Sequence, residues 1–570
     1  MKWLEETHGT KFELVRHFLA RMFDSELFSA PGQWQKVAVG AFSMALMAGM
    51  VLLDPMSKAK YSHLSALATP EPFRAAALAD EVALLTLAMA ITGLLGLLQW
   101  ESLFPSKRDY LGLAGLPIRP RQVFIARFAS AMVLSIGIVL AMNILASVIV
   151  PVQFTGRWQR NPSYLANVAA HWASCGLACF FVLLAIVALQ GVLLNLLPGR
   201  LFTRVSSYLQ GLLIAVLFLS ALYSWSISDW TPATLDKLPQ FGAWAPPVWF
   251  AGLHEKLLGD RDPFLGAMAS RALLAGAAAG ILAALAYVVS YKRYRKLLLE
   301  SSFEVARPAR RQWTLLGLLA RDPQRRAVLE FMTKTLARSR VHRMVLMAYI
   351  GVAVAVMLNS SLLASAAVKG SGGLRGNLKF IVLFWPLTAT VIVLAGLRHA
   401  FSLPADLPSN WVFRMTESQG RAQWMSAVER FVIVYAIVPI YVVLSPLAVA
   451  LVGWEIAARM TVLEVVVSLT MFEMRFQSWQ QLPFTCSYAP GKRPLVMLLA
   501  GWLAAIGVAV PVLTIIISTA SRMTAPFLIY LSMFVGVWIW ARRFRRDGWG
   551  EAPMLYEDLP DALPDLGLRG

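Results

Sequence analysis

The chain has 570 residues and a formal net charge of +20, with 58% hydrophobic and 15% charged residues and a mean hydropathy of +0.61. A soluble domain carries about 25% charged residues, so the composition argues against an ordinary globular protein and for an all-α, polytopic integral membrane protein. A β-barrel does not fit, because barrel strands alternate apolar and polar residues, whereas Glu81–Trp100, Phe124–Val150 and Val496–Ser518 are apolar almost throughout.

The N-terminal region is charged and shows no cleavable signal peptide. Within it, Lys11–Phe28 places Phe12, Val15, Phe18, Leu19 and Phe23 at helical spacing with basic residues opposite. That is the pattern of an interfacial helix lying flat, or of an ordinary amphipathic cytoplasmic helix. Six spans are then expected in Val37–Leu53, Val82–Trp100, Phe124–Val150, Val168–Leu194, Leu209–Trp225 and Arg271–Tyr291. Arg325–Arg340 repeats the amphipathic pattern. A second six follow in Arg343–Leu358, Phe380–Leu397, Phe431–Val452, Val462–Phe476, Val496–Ile517 and Pro526–Trp540. The expected organisation is a first membrane half over 1–300, a basic connector with the second interfacial helix over 301–342, a second half over 343–545 and a cytoplasmic tail over 546–570.

Charge sets the orientation. Lys and Arg collect on the cytoplasmic side of membrane proteins. Lys107, Arg108, Arg119 and Arg121 share one loop, Arg200 and Arg204 another, and Lys292–Arg343 holds 14 Lys and Arg against four acids. These loops and both termini are expected to be cytoplasmic, with Asp54–Asp80 and Asp229–Asp262 outside. This distribution accounts for the positive charge without any nucleic acid. Cys175 and Cys179 lie one helical turn apart in an apolar run, as small packing residues or as a metal or redox pair.

The two halves read as parallel repeats. Phe104-Pro105 and Arg127-Phe128 recur roughly 300 residues later as Leu403-Pro404 and Arg430-Phe431. Leu197-Pro198 recurs as Leu482-Pro483, and Lys292-Arg293 as Arg542-Arg543. The spacing shortens before the last pair by about the length of Asp229–Arg261, an outside segment that the second half lacks. Six spans is an even number, so such halves share one orientation. Two basic loops can also look alike by chance. The outside segment Asp236–Asp260 carries Trp244, Pro246, Pro247, Trp249 and Phe250 ahead of a short amphipathic run. It reads either as a Trp-anchored interfacial loop or as an exit gate.

An interfacial helix, two spans, a basic cytoplasmic segment, four more spans and an outside segment before the sixth resemble the permease subunits of type-two ABC exporters. In that family the loop between spans two and three docks on the ATPase. Its pattern is an acid ending span two, a Leu-Pro step and basic residues entering span three. Here Glu101, Leu116-Pro117, Arg121 and Arg127 stand in that order, with Arg108 between. The second half departs from it. His399 stands near the position of the acid and the Leu-Pro step moves to Leu403-Pro404, leaving Pro404, Arg414, Glu417 and Arg430 as a weaker second coupling loop. The resemblance implies a tandem fusion in a bacterial inner membrane, with Trp244, Pro246, Pro247 and Trp249 in helices that close the exit. It also implies a separate ABC ATPase, in two copies, that carries the ATP and magnesium. The first half would close the exit and take most of the ATPase contact.

No phosphate-binding G-x-x-x-x-G-K-[ST], no H-E-x-x-H and no paired-Asp motif occurs, and Gly370–Asn377 lacks the Lys-Ser/Thr end. The chain itself therefore has no catalytic, cofactor or metal site and is not read as an enzyme. Among the few ionisable residues inside spans, Glu464, Glu473 and His171 are the functional candidates, although pairing of the glutamates with Arg459 or Arg475 would be structural. Two functions stand: the permease of an ATP-driven exporter of unidentified substrate, or a membrane protein without an ATPase, such as a secondary transporter, transferase or assembly factor.

Overall fold

Inside a bilayer no water is available to backbone N–H and C=O groups, so each apolar run must satisfy them internally. The computed structural model describes residues 9, 12–19, 57–100, 120–153, 156–228, 230–300, 322–367, 382–405, 410–416, 421–477, 479, 481–486 and 505–547. It meets this constraint with helices, and no strand occurs among the described residues. In chain order they are α1 (12–19), α2 (Ser57–Ser65), α3 (Glu71–Leu98), α4 (Pro120–Gln153), α5 (Tyr164–Leu196), α6 (Gly199–Ile227), the single turns α7 (Pro232–Leu235) and α8 (Leu238–Phe241), α9 (Pro246–Leu257) and α10 (Pro263–Glu300). After these come α11 (Pro323–Arg338), α12 (Arg340–Ala367), α13 (Trp385–Phe401), α14 (Asn410–Thr416), α15 (Arg421–Val432), α16 (Val438–Val452), α17 (Trp454–Arg475), α18 (Val510–Ala520) and α19 (Thr524–Asp547).

Eight helices among the described residues are long and apolar enough to cross a bilayer. The protein is a multi-pass, all-helical membrane protein. Among the described residues the count stands below twelve. The first expected span falls outside the described residues. Trp385–Phe401 and Gly507–Ala520 are apolar but short. The α17 helix carries Glu455, Arg459, Glu464, Glu473 and Arg475, which lowers its mean hydropathy.

Contacts divide the chain into two units, Met1–Ser206 with Val216–Val305, and Ser207–Ala215 with Ala306–Gly570. In the first, α5 packs on α10, α3, α4 and α9. Val82, Leu85, Met89, Cys175, Ala178, Cys179, Val248, Phe250 and Met268 share its core. Gly191 lets α5 approach α10: a Cβ there would lie 2.6 Å from Ala286 Cβ. The outer face of α10 exposes Leu274, Ile281, Leu285 and Val288, each more than half exposed. Such a stripe is untenable in water and ordinary against lipid tails.

In the second unit α12 packs on α13 and α17 on α19. Two π-helical turns, Ile433–Ile437 and Ala505–Ala509, precede α16 and α18. Each is followed two residues later by a proline, Pro439 and Pro511. A proline lacks an N–H and its ring displaces the carbonyl four residues back. Those carbonyls belong to Tyr435 and Gly507, inside the widened turns, so the π geometry absorbs the clash.

Gly396 of α13 sits against α12, where an added Cβ would lie 2.6 Å from Tyr349 Cβ and 2.7 Å from its Cγ. Helix association in lipid depends on such close approach. Gly396→Leu is expected to overpack this crossing and cost about 1–3 kcal/mol, read as a lower thermal unfolding midpoint of the detergent-purified protein. Gly536→Leu, with no atom near its added Cβ, is the control and should leave the midpoint in place.

Candidate functional site

Of the first expected coupling loop, Glu101, Arg108, Leu116 and Pro117 lie outside the described residues. Its flanks are firmly held. Trp100, fully buried at the end of α3, receives a hydrogen bond on its carbonyl from Gln190 Nε2 of α5 at 2.7 Å. In the first turns of α4, Arg121 is exposed and Arg127 buried. The amphipathic α1 lies here, with Leu14 and Phe18 packed against Val123 and Ala126 and the Arg127 guanidinium 5.1 Å from the Phe18 ring centre. That geometry allows a cation–π contact.

The second expected loop is similarly braced. Val328, Leu329 and Met332 of α11 join Trp424, Val428 and Phe431 of α15 in one buried cluster. In both units, then, an amphipathic helix packs on the helix that leaves the loop. Pro404 and Arg430 are half-buried, Arg414 belongs to α14, and Glu417 lies outside the described residues. The residue that organises this region is Phe484, which the sequence reading passed over beside its Leu482-Pro483 landmark. Its N–H donates to the Phe401 carbonyl at 2.8 Å, and its carbonyl accepts from Ala405 N at 2.9 Å. Its φ of 70° is rare for a bulky residue. The strain is held by burial of the ring against Phe401, His342 and Phe331, with centroids 5.4, 4.7 and 6.0 Å away. His342 Nε2 also donates to the Leu403 carbonyl at 3.0 Å.

Charged groups cluster at the same end of α19. Arg545 pairs with Glu473 of α17 and, at 2.9 Å, with Glu429 of α15. Arg542 reaches Glu429 at 2.8 Å. The α17 and α19 helices lie side by side, so Glu473 meets Arg545 of α19, while Arg459 bonds Glu455 one turn away at 2.6 Å. Glu464 is buried in α17.

The segment carrying Trp244, Pro246, Pro247 and Trp249 forms short helices. Trp244 is 86% exposed. Pro246 and Pro247 open α9, where the first N–H groups have no helical partner to lose. Trp249 Nε1 donates to the Ala243 carbonyl at 3.0 Å, as does Arg271 Nη1 at 3.0 Å. Val248, Phe250, Ala251 and Leu253 of α9 are buried, and Phe250 lies 5.6 Å from Phe181 of α5.

Beneath α9 lies a cluster that sequence reasoning found only in part. Glu81 of α3 is fully buried, with His171 of α5 and His254 of α9 at 2% and 5% exposure. His171 Nδ1 stands 3.5 Å from Glu81 Oε1, and His254 Nδ1 stands 3.6 Å from Glu255 Oε1. Glu255 bonds Arg160 Nε at 2.8 Å, and Arg160 also bonds Asp260 at 2.7 Å. Burial lowers the pKa of His254, but the charges of Glu81 and Glu255 outweigh it and leave the pKa above the ordinary imidazole value. One turn on, Cys175 Sγ donates to Asn143 Oδ1 at 2.8 Å and Thr92 donates to Cys179 Sγ at 3.4 Å. Among the described residues no group of three or more His, Cys, Asp and Glu side chains has the geometry to hold a metal ion. Only His171 had been singled out from sequence; Glu81 and His254 stand far apart in the chain without a shared motif.

No family model, curated protein or solved structure matches the chain.

Removing one member of a buried ion cluster leaves an uncompensated charge, which costs about 3–5 kcal/mol. Arg545→Met is expected to do this to Glu473 and Glu429, with a large drop in thermal midpoint. Arg546→Met, whose side chain is 46% exposed, should cost under about 1 kcal/mol.

Proposed function

We propose that the chain is the permease of an ATP-driven exporter, energised by a separate ABC ATPase. The proposal includes twelve spans in two parallel six-span halves, with both termini cytoplasmic in a bacterial inner membrane. The observation that carries it is the matched bracing of two loops: α1 packs on the start of α4, and α11 on α15. A loop that transmits force needs a stiff mount, and each mount joins an amphipathic helix to the start of the following apolar helix. Two ATPase copies holding ATP and magnesium would close beneath the loops and rock the halves. Glu101, Arg108, Leu116, Pro117, Arg121 and Arg127 would make the main contact, and Pro404, Arg414, Glu417 and Arg430 a lesser one. The helices bearing Trp244, Pro246, Pro247 and Trp249 would close the exit.

The test is co-purification of an ATPase in mild detergent. Joint replacement of Leu116, Pro117 and Arg121 by Ala should leave membrane abundance unchanged and reduce ATPase retention about tenfold, a change of about 1.4 kcal/mol. The same treatment of Pro404, Arg414 and Arg430 should reduce it less. Full retention in the first variant, or no ATPase with wild type, removes the docking assignment.

Orientation has its own measurement. Ser62→Cys and Gln240→Cys should react with an impermeant thiol reagent applied outside intact cells, and Ser106→Cys, Arg310→Cys and Ser409→Cys should not. Labelling of Arg310→Cys would reverse the topology.

A further inference from the structure

We propose that Glu81, His171 and His254 form a buried proton-binding site whose occupancy holds α9 on its helix bundle. The ligand is a proton exchanged with the aqueous phase. The inference concerns the first unit alone and stands whether or not the chain is energised by an ATPase.

The geometry carries the argument. A buried carboxylate is tolerated only when paired and hydrogen-bonded. Among the described residues, neither oxygen of Glu81 and neither ring nitrogen of His171 has a hydrogen-bond partner, and Nδ1 of His254 has none. These groups come from three elements packed together, α3, α5 and α9. His171 Nδ1 stands 3.5 Å from Glu81 Oε1, and His254 lies close enough for its charge and that of Glu81 to act on each other. Neutral histidines would leave the Glu81 charge unanswered, and a proton on the cluster supplies the missing charge and donor.

The surrounding charges point the same way. From α9, Glu255 faces His254. The segment before α5 brings Arg160, shared between Glu255 and Asp260. On α3, Asp80 is committed to Lys60 at 2.9 Å and to the Tyr61 hydroxyl at 2.5 Å. From α5 the other buried titratable groups are the thiols Cys175 and Cys179, engaged with Asn143 and Thr92, while Tyr164 at its start is exposed and bonds the Val148 carbonyl. The α10 helix meets α9 at Leu265, Met268 and Ala269, and its Arg271 binds the Ala243 carbonyl. The guanidinium of Arg160 is thus shared by two carboxylates, Glu255 and Asp260, and the groups left to answer Glu81 are the histidines. The raised pKa of His254 accords with this.

The sign follows from linkage. A histidine whose pKa is raised by folding adds stability in full below its unfolded value of about 6.5 and gives it up as pH rises through the folded value. Docking of α9 should therefore weaken on the alkaline side of that value. Release of α9 would also free Glu255 from Arg160, so the transition would be cooperative.

The experiment is hydrogen exchange of the full chain in detergent or nanodiscs, following peptides from 246–257 between pH 5.5 and 9 after correction for intrinsic exchange. Wild type should show protection that falls with rising pH about a midpoint. Glu81→Gln removes a negative charge and should lower that midpoint by about one unit or more. Arg160→Gln removes the positive charge and should raise it by a similar amount, in line with the usual effect of one nearby charge. Opposite shifts support the site; shifts in one direction, or none, overturn it. If either charge variant fails to accumulate, His254→Gln decides: protection independent of pH supports the proposal, and a retained wild-type profile overturns it.

Discussion

The low-dielectric interior sets the terms for this protein, because a charge placed there must be answered nearby. The apolar faces of the long helices point outward to lipid, and the polar side chains point inward, where they are few. Each unit solves the resulting problem at one place. In the second, Arg545 and Arg542 gather around Glu429 and Glu473 and fasten the last helix to the helix leaving the second loop. In the first, Glu81 meets two imidazoles, whose charge depends on protonation. One cluster pairs two carboxylates with two guanidinium groups. The other contains histidines, whose charge depends on pH, and it lies under the short helix α9.

Phe484 is held rigidly: a bulky residue in a left-handed backbone, fixed by three surrounding aromatic rings and two backbone hydrogen bonds. The packing of α1 on α4 and of α11 on α15 extends the same stiffness to the two loop ends. The α9 helix is different. It opens on two prolines, is buried on all sides from Phe250 to Glu255, and carries His254 and Glu255 near its end.

Much of the fold was legible in the sequence, since apolar runs of bilayer length announce themselves. The amphipathic patterns at Phe12–Leu19 and Arg325–Arg338 were legible for the same reason, and their apolar faces are the buried ones. What stayed hidden was tertiary. Glu81, His171 and His254 share no motif and meet only through the packing of α3, α5 and α9. Arg545 pairs with Glu473 across 72 positions of sequence, because α19 lies alongside α17. Span counting weakened where charge enters an apolar helix, as in α17, or where an apolar helix is short, as in α13. The second loop read as degenerate by its motif, yet its described residues are densely braced, since bracing by backbone bonds and aromatic packing leaves little trace in a Leu-Pro pattern.

The two π-helical turns before Pro439 and Pro511 also change the phase of the helices they join. An α-helix advances about 100° per residue, and a π turn spends one residue more on the same rotation. Side chains after Ile437 are therefore rotated about one residue step from the face a 3.6-residue count assigns them. Any stripe of lipid-facing or bundle-facing positions read continuously from α15 into α16 slips at that point. Substitutions chosen by helical periodicity on one side would land on the wrong face on the other. Deleting a single residue within Ile433–Ile437 would bring the two stripes back into register, but would set the ring of Pro439 against the helical ladder.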